Sequence, residues 1–279
     1  MEKEKYKILD TGNGKKLEKI GPYLLVRPYS QAVWRTSLNE SVWKSRDGEF
    51  LGQLDGGNGR WVFDKKISDD FVFKYSGMNF KCKFSDYGHV GIFFEQHDNW
   101  KWLEENVIKG GHYLNLFAYT GGSSLFVSRH AKVTHVDSSN PVIKWARTNF
   151  ELSGISLNNA RFVLEDAAKF VQRERKRNNQ YDGIIMDPPT FGRGVKSEIW
   201  KIDRDIMNLI ENCKALLTPR ANIFLLTSHT PGFTHQVLRN CLMDFFPDSN
   251  SIQSGDMILH EDGKTRELPC GSFARWLKK

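Results

Sequence analysis

Cysteine is scarce in this chain of 279 residues, and the four present are poorly placed for staples or metals. Cys82, Cys213, Cys241 and Cys270 lie far apart without a C-x-x-C pair, which argues against a disulfide framework and a zinc site. The eight histidines show no H-E-x-x-H spacing, so no metal cofactor is expected. No apolar run approaches the ~18 residues of a membrane span. The opening residues, MEKEKYKILD, are charged where a signal peptide would be apolar. A cytoplasmic protein with no membrane partner is expected. Internal repeats, low-complexity tracts and flexible linkers are also missing from the sequence.

What is present is a soluble globular profile, with 39% apolar and 26% charged residues. The length suits one large domain with a smaller one. The net charge of +7 fits a polyanionic partner such as RNA or DNA, because lysine and arginine release counterions from a phosphate backbone. On a chain of this size that charge is modest and decides nothing alone.

Residues 1–86 read as a β-rich domain. YLLVRPYSQAVW suggests strands interrupted at Pro28, and FVFKYSGMNFKCKF alternates on both sides of Gly77–Asn79 as a hairpin does. GGNGR (56–60) reads as a turn before the strand RWVF, since its G-x-G opens no helix. From Tyr87 to residue 279 strands alternate with helices. Strands are expected at HYLNLF (112–117), AKVTHV (131–136), ARFVL, YDGIIM (181–186) and ANIFLLT. Helices follow the Gly121–Gly122 pair, span Pro141 to Leu152, cover DAAKFVQRERKR, run from Ser197 to Leu217, and open again at Gly232. DMILHEDGKTRELPCGSFARW predicts a closing hairpin with its turn at Asp262–Gly263. The expected fold class is therefore α/β: a doubly wound, mostly parallel sheet with an antiparallel terminal hairpin and a small β-rich N-terminal domain.

In such sheets ligands bind outside the carboxyl ends of the strands. There the sequence sets A-Y-T-G-G after the first strand and Asp137 after the second. Glu165–Asp166 follows the third, and Asp187–Pro188–Pro189 the fourth. Glycines let backbone approach a ligand without a Cβ in the way. Asp137 suits a bidentate bond to a ribose diol, with a helix cap as the alternative. Asp166 suits an adenine amino group or its own helix cap. A nicotinamide site would want G-x-G-x-x-G, and the Y-T-G-G-S-S turn has no third glycine. In D-P-P-T-F the prolines rigidify a loop, turn carbonyls outward and leave Asp187 and Phe191 facing the cleft. Such a loop suits a flat, hydrogen-bonding acceptor beside a methyl donor. Its alternative is a tight strand exit.

Five segments, G-I-F-F-E-Q (91–96), N-L-F-A-Y-T-G-G (115–122), V-D-S-S (136–139), E-D-A-A-K-F (165–170) and Y-D-G-I-I-M-D-P-P-T-F (181–191), carry a family likeness in their order and spacing. The chain resembles a class I S-adenosylmethionine-dependent methyltransferase. More closely, it is similar to the ribosomal-RNA methyltransferases that make 5-methylcytosine or 7-methylguanine in large-subunit RNA. The resemblance implies S-adenosyl-L-methionine as cofactor and RNA, ribosomal in particular, as partner; it leaves monomer or homodimer open. It implies that the backbone through Phe117, Ala118, Tyr119, Thr120, Gly121 and Gly122 cradles the methionine part. Asp137 would bond the ribose and Asp166 the adenine, with Asn115, Ser138 and Ala167 beside them and Gln96 touching the cofactor. Asp187 would lie near the transferred methyl, with Pro188, Pro189 and Phe191 shaping the base pocket.

One departure bears on the acceptor atom. Cytosine C5 chemistry needs a thiolate that adds to C6. The resembling cytosine enzymes carry that cysteine after the fifth strand, where this chain reads L-L-T-S-H-T-P-G-F. Cys213 falls on an apolar helix stripe and Cys241 within the next helix, while Cys270 is an outside candidate. A ring or amino nitrogen is therefore the favoured acceptor, with guanine N7 as a lean. His229 reads as a general base or as a solvated loop residue. Trp34, Trp43 and Trp61 could be core or an RNA-facing platform, and R-E-R-K-R (173–177) a solvated helix end or an RNA contact. Two other function classes compete: a methyltransferase acting on protein or small molecules, and an RNA-binding module without catalysis.

Overall fold

The computed structural model describes residues 6–52, 59–194 and 198–278. Two compact units emerge, one from Met1–Phe94 with Ile258–Pro269, the other from Glu95–Met257 with Cys270–Lys279.

The first unit holds β1 (Lys7–Gly12), β2 (Lys15–Ile20), β3 (Tyr23–Pro28), α1 (Glu40–Lys44), β4 (Gly48–Leu51), β5 (Arg60–Phe63), β6 (Asp70–Tyr75) and β7 (Met78–Lys83). The first five strands form one sheet in chain order, antiparallel except between β3 and β4. The hairpin expected around Gly77 is β6–β7, and RWVF is β5. Gly56, Gly57 and Asn58 of the expected GGNGR turn lie outside the described residues.

β1 and β2 were not expected, because their buried positions are filled by charge. Glu18 is fully buried, paired with Arg27 and, at 3.5 Å, with Lys16. Burial pushes its carboxyl up, but the two cations outweigh that and bring it down to about 2. Asp10, equally buried, accepts from Ser37, Leu38, Trp43 and Lys264. Trp34 donates its indole N–H to Thr11, so Trp34 and Trp43 are both anchored within the unit. Trp61 packs among Phe50, Phe63 and Phe84.

The second unit begins with α2 (His97–Asn106), β8 (His112–Leu116), α3 (Gly122–Ser128), β9 (Lys132–Asp137) and α4 (Asn140–Leu152). It continues through β10 (Ala160–Leu164), α5 (Ala167–Lys176), β11 (Gly183–Met186), β12 (Phe191–Arg193) and β13 (Ile199–Lys201). Then come α6 (Ile202–Lys214), β14 (Ile223–Ser228), α7 (His235–Met243) and the final strands β15 (Ile252–His260) and β16 (Glu267–Leu277), which belong to this unit up to Met257 and from Cys270. One seven-stranded sheet runs β10-β9-β8-β11-β14-β16-β15. Pairing is parallel from β10 to β14, and β16 joins antiparallel.

Alternation along each strand sends side chains to opposite faces. Leu114, Leu116, Ile184, Met186, Phe224 and Leu226 share a core with Phe170 of α5, Ile206 of α6 and Leu238 of α7. Asn115 and His135 turn the other way and meet Ser124 of α3. The chain moves outward from β8 through β9 to β10, then crosses back to β11. A doubly wound sheet opens a crevice at that reversal.

The expected helix from Ser197 differs in its first turn. Ser197 lies outside the described residues, Ile199–Lys201 is strand, and the helix begins at Ile202. β12 and β13 pair Phe191 with Lys201, Gly192 with Trp200 and Arg193 with Ile199. Ile199 fits the apolar rhythm of the helix, and that coincidence hides the hairpin.

Candidate active site

The loop from β8 into α3 is built under strain. Phe117 (φ 53°) and Tyr119 (φ 49°) are both left-handed, a conformation that costs ~1–2 kcal/mol for a residue with a Cβ. Neighbouring backbone and a side chain hold it in place. Ala118 N–H donates to the Val136 carbonyl at 3.1 Å, and the Thr120 carbonyl accepts from Asn149 Nδ2 at 2.9 Å. Beneath the loop, Asn115 Nδ2 donates to Ser124 Oγ at 2.9 Å, and Ser124 Oγ meets His135 Nδ1 at 2.9 Å. Burial drives His135 down to about 3, so this ring is neutral. The Asn115 side chain is thus spent on internal structure.

The glycine pair has packing reasons of its own. Gly121 is left-handed at φ 91°, where it precedes the first turn of α3. A Cβ on Gly122 would lie 2.7 Å from Trp100 Cζ2. The side-chain positions missing from both residues point at protein, Gly121 towards Ala146 and Gly122 towards Trp100.

Asp137, at the end of β9, organises this loop from the next strand. Its Oδ2 accepts from Tyr119 N–H and its Oδ1 from Ser139 N–H, each at 2.9 Å. Burial raises its carboxyl above the usual range, against the pull of those N–H groups. Asp166 caps α5, its Oδ1 accepting from Lys169 N–H at 2.9 Å.

A cleft opens between these strand ends. Phe117, Asp137, Ser138, Asp166, Ala167 and Pro189, all named from sequence, line it, together with Val136 and Glu165. The β12–β13 hairpin supplies Gly192, Arg193, Gly194 and Trp200, which sequence reasoning missed with the hairpin itself. Trp200 is buried, lies 5.0 Å from Phe117 between ring centres, and donates from Nε1 to the Pro189 carbonyl at 2.7 Å. That carbonyl was expected to face outward; it is taken by the indole. Glu165 is paired with Arg173 at 2.5 Å. The cleft offers flat apolar walls for a purine base and three carboxylates as acceptors for nucleoside hydroxyls and an amino group.

Asp187 and Gln96 belong to a second cluster in this unit. Gln96 is buried and donates from Nε2 to Asp187 Oδ2 and to Thr227 Oγ1, each at 3.2 Å; its own Oε1 accepts from Asn99 at 2.9 Å. His229 Nε2 lies 3.2 Å from Glu95 Oε1, and its Nδ1 lies 3.4 Å from Asp187 Oδ1. Burial pushes Asp187 up, but the His229 charge and the Thr227 and Gln96 hydrogen bonds outweigh it, so the carboxyl stays ionised. Burial also works against the His229 cation, yet Asp187 and Glu95 lift it well above the usual histidine range. A solvated or base-competent loop histidine, both expected, is replaced by one bound between two acids. Glu95 and Asn99 were missed; Glu95 stands next to Gln96 in the G-I-F-F-E-Q segment. Pro188 is buried, while Phe191 on β12 is 49% exposed.

Burial raises the thiols of three of the four cysteines. Cys213 is fully buried on α6, and burial raises its thiol far above the usual value. Cys82 is pushed up to about 12 by burial, with Arg27 opposing, and burial raises Cys241 as well. Among the described residues no group of three His, Cys, Asp or Glu is placed to hold a metal, and no helix is long and apolar enough to cross a membrane.

Comparison with known proteins agrees with this geometry. Residues 59–237 match the family model described as S-adenosylmethionine-dependent methyltransferase. The chain is 34% identical over 202 residues to the ribosomal RNA large subunit methyltransferase K of Neisseria meningitidis serogroup B, covering 69% of this chain and 57% of that protein. It is 36% identical over 175 residues to the ribosomal RNA large subunit methyltransferase K/L of Hahella chejuensis, covering 61% of this chain and 24% of that one. This chain therefore spans little more than half of the first relative and about a quarter of the second. The solved S-adenosylmethionine-dependent methyltransferase from Agrobacterium tumefaciens superposes with a TM-score of 0.92 at 35% identity, covering 98% of this chain and 90% of that one. A family model that covers most of the chain, a near-complete structural match and a cleft suited to a nucleoside lead to one statement: the chain belongs to the S-adenosylmethionine-dependent methyltransferase family.

Proposed function

We propose that this cytoplasmic enzyme methylates a nitrogen of a base in ribosomal RNA. The observation that carries the reading is an ionised Asp187 at a rigid D-P-P exit with an exposed aromatic, Phe191. Likeness to the Neisseria and Hahella ribosomal RNA methyltransferases supports RNA as the acceptor. S-adenosyl-L-methionine, when bound, supplies an electrophilic methyl on a sulfonium. Every other step falls to the chain.

Asp137 accepts the ribose hydroxyls on lone pairs not used by Tyr119 and Ser139, and Asp166 uses its second oxygen for the adenine amino group. Ser138 and Ala167 flank them. The backbone from Phe117 to Gly122, with Asn115 beneath, holds the methionine end, and the strain at Phe117 and Tyr119 keeps that floor preorganised. Gln96 fixes Asp187 by its hydrogen bond. Asp187 accepts from an N–H of the acceptor base, and Phe191 stacks on its face between Pro188 and Pro189. A ring nitrogen such as guanine N7 carries its own lone pair and gives up no proton on methylation, so transfer needs alignment and no covalent intermediate on the enzyme.

The β-rich domain of residues 1–86 serves as the RNA-binding platform in this reading. Its lysines and the half-exposed ring of Phe63 beside Trp61 suit stacking and phosphate contact. The test is methyl transfer from labelled cofactor into total RNA, followed by nucleoside analysis. Label in an N-methylated purine is expected; label in protein and not in RNA overturns the proposal.

A further inference from the structure

His229 opens the loop after β14 and keeps 31% of its side chain exposed. Its two ring nitrogens face two different carboxylates, Glu95 at 3.2 Å and Asp187 at 3.4 Å. A neutral imidazole has one N–H and one lone pair. It can donate to one acid only, and would turn its lone pair on the oxygen of the other. With both acids ionised, two carboxylates on two nitrogens call for a ring that carries both protons. Asp187 Oδ1 is shielded from water and has no aligned hydrogen bond, so an adjacent positive charge is what offsets its burial. Among the described residues the acids against the ring are Asp187, which follows β11, and Glu95 in the turn before α2. From β16 the neighbour is Gly271, where a Cβ would lie 3.2 Å from the ring's Cδ2 and no charge is present.

We propose that His229 is a positioning residue for methyl transfer: as an imidazolium it ties Asp187 to Glu95 and fixes the angle at which the D-P-P carboxylate meets the acceptor base. The inference rests on the reading above that Asp187 contacts the acceptor. With both nitrogens protonated, the ring has no lone pair for general-base chemistry. Its influence on rate runs through Asp187. Loss of its proton at alkaline pH leaves two acids facing a ring that can serve only one of them, and Asp187 loses its fixed orientation.

The test joins two measurements on the full chain. An NMR titration of the labelled histidines is followed in the unaltered protein, in Glu95→Gln and in Asp187→Asn. The pH dependence of kcat and KM for methyl transfer into RNA is followed in the unaltered protein and in His229→Gln. His229 is expected to titrate well above 6.5, and lower in each acid variant. The unaltered enzyme should show an alkaline limb in kcat at that same pH. His229→Gln should lose about 10–100-fold in kcat and lose the limb, with cofactor KM little changed. Titration near or below 6.5, or an alkaline limb that persists in His229→Gln, overturns the proposal. The titration needs no acceptor. A raised, Asp187-dependent value without label in RNA therefore supports the ion triad and overturns the RNA reading. An ordinary value together with RNA methylation overturns the triad alone.

Discussion

Placing an alanine at Gly122 is expected to destabilise the protein while sparing the donor cleft. The new Cβ would sit 2.7 Å from Cζ2 and 3.1 Å from Cε2 of Trp100, inside the ~3.5 Å at which carbons make favourable contact. The indole has little room to yield. It is 2% exposed, stacks on Phe126 at 5.2 Å and donates from Nε1 to Ser123 at 3.2 Å. Overpacking of this kind costs ~1–3 kcal/mol. Gly122 is the first residue of α3, so alanine's better helix propensity returns ~0.5–1 kcal/mol. A net loss of ~1–2 kcal/mol should lower the unfolding midpoint by ~2–4 °C for each kcal/mol. Tryptophan fluorescence during urea or thermal unfolding reads this directly, in Gly122→Ala, Trp100→Leu and the double variant. Trp100→Leu alone opens a cavity at a cost of ~2–4 kcal/mol. In the double variant the ring is gone and the alanine should cost nothing, giving a coupling of about 1 kcal/mol or more. Simple additivity would refute the packing argument. So would an unchanged midpoint with cofactor binding weakened tenfold, because the glycine would then face the ligand.

Four other outcomes are expected. Asp137→Ala should weaken cofactor binding by about 10–100-fold in calorimetry, the worth of one or two hydrogen bonds to a charged group. Asp187→Ala should instead lower kcat by about 100-fold with a smaller effect on binding, and equal losses of binding in both would contradict the separate roles. Asp10 is pushed up by burial and pulled down further by Ser37, Leu38, Lys264 and Trp43, to about 2 from 3.8. Its folded value lies below the unfolded one, so its stabilisation is full above pH ~4 and is lost as pH falls through ~2, an effect of about 2.5 kcal/mol. Asp10→Asn should flatten that acid limb in urea titrations from pH 6 to 2. Alanine at Cys82, Cys213, Cys241 or Cys270 should leave methyl transfer within about threefold; abolition by one of them in a folded variant would restore covalent C5 chemistry.

The βα rhythm from β8 to β14 was legible because a parallel strand buried on both faces reads as an apolar run. Leu114, Ile184 and Phe224 make it so. β1 and β2 break that code: Asp10, Lys16 and Glu18 occupy interior positions, and paired charge looks like surface in a sequence. α2 was missed for a related reason, since HDNWKWLEEN is mostly polar and one of its buried residues is Asn99. Around the cleft, the acids that end strands were readable because each belongs to its own strand. Trp200 and Arg193 were not, because a hairpin carries them to the cleft. Glu95 and His229 meet only through the fold, 134 positions apart, and neither alone announces an ion pair. The glycine pair opens a helix as expected, and its packing against Ala146 and Trp100 supplies a reason for glycine that the sequence does not show.

The Asp10 network carries a consequence for the order in which the protein is made. Asp10, Ser37 and Trp43 leave the ribosome early, whereas their cation, Lys264, arrives only after residues 95–257 have been synthesised. Ile8 and Thr11 wait likewise for Glu261. At ~5–20 residues per second the first unit holds an uncompensated acid for on the order of ten seconds or more. The N-terminal unit therefore completes itself last, and a fragment ending at Phe94 would carry its defect permanently.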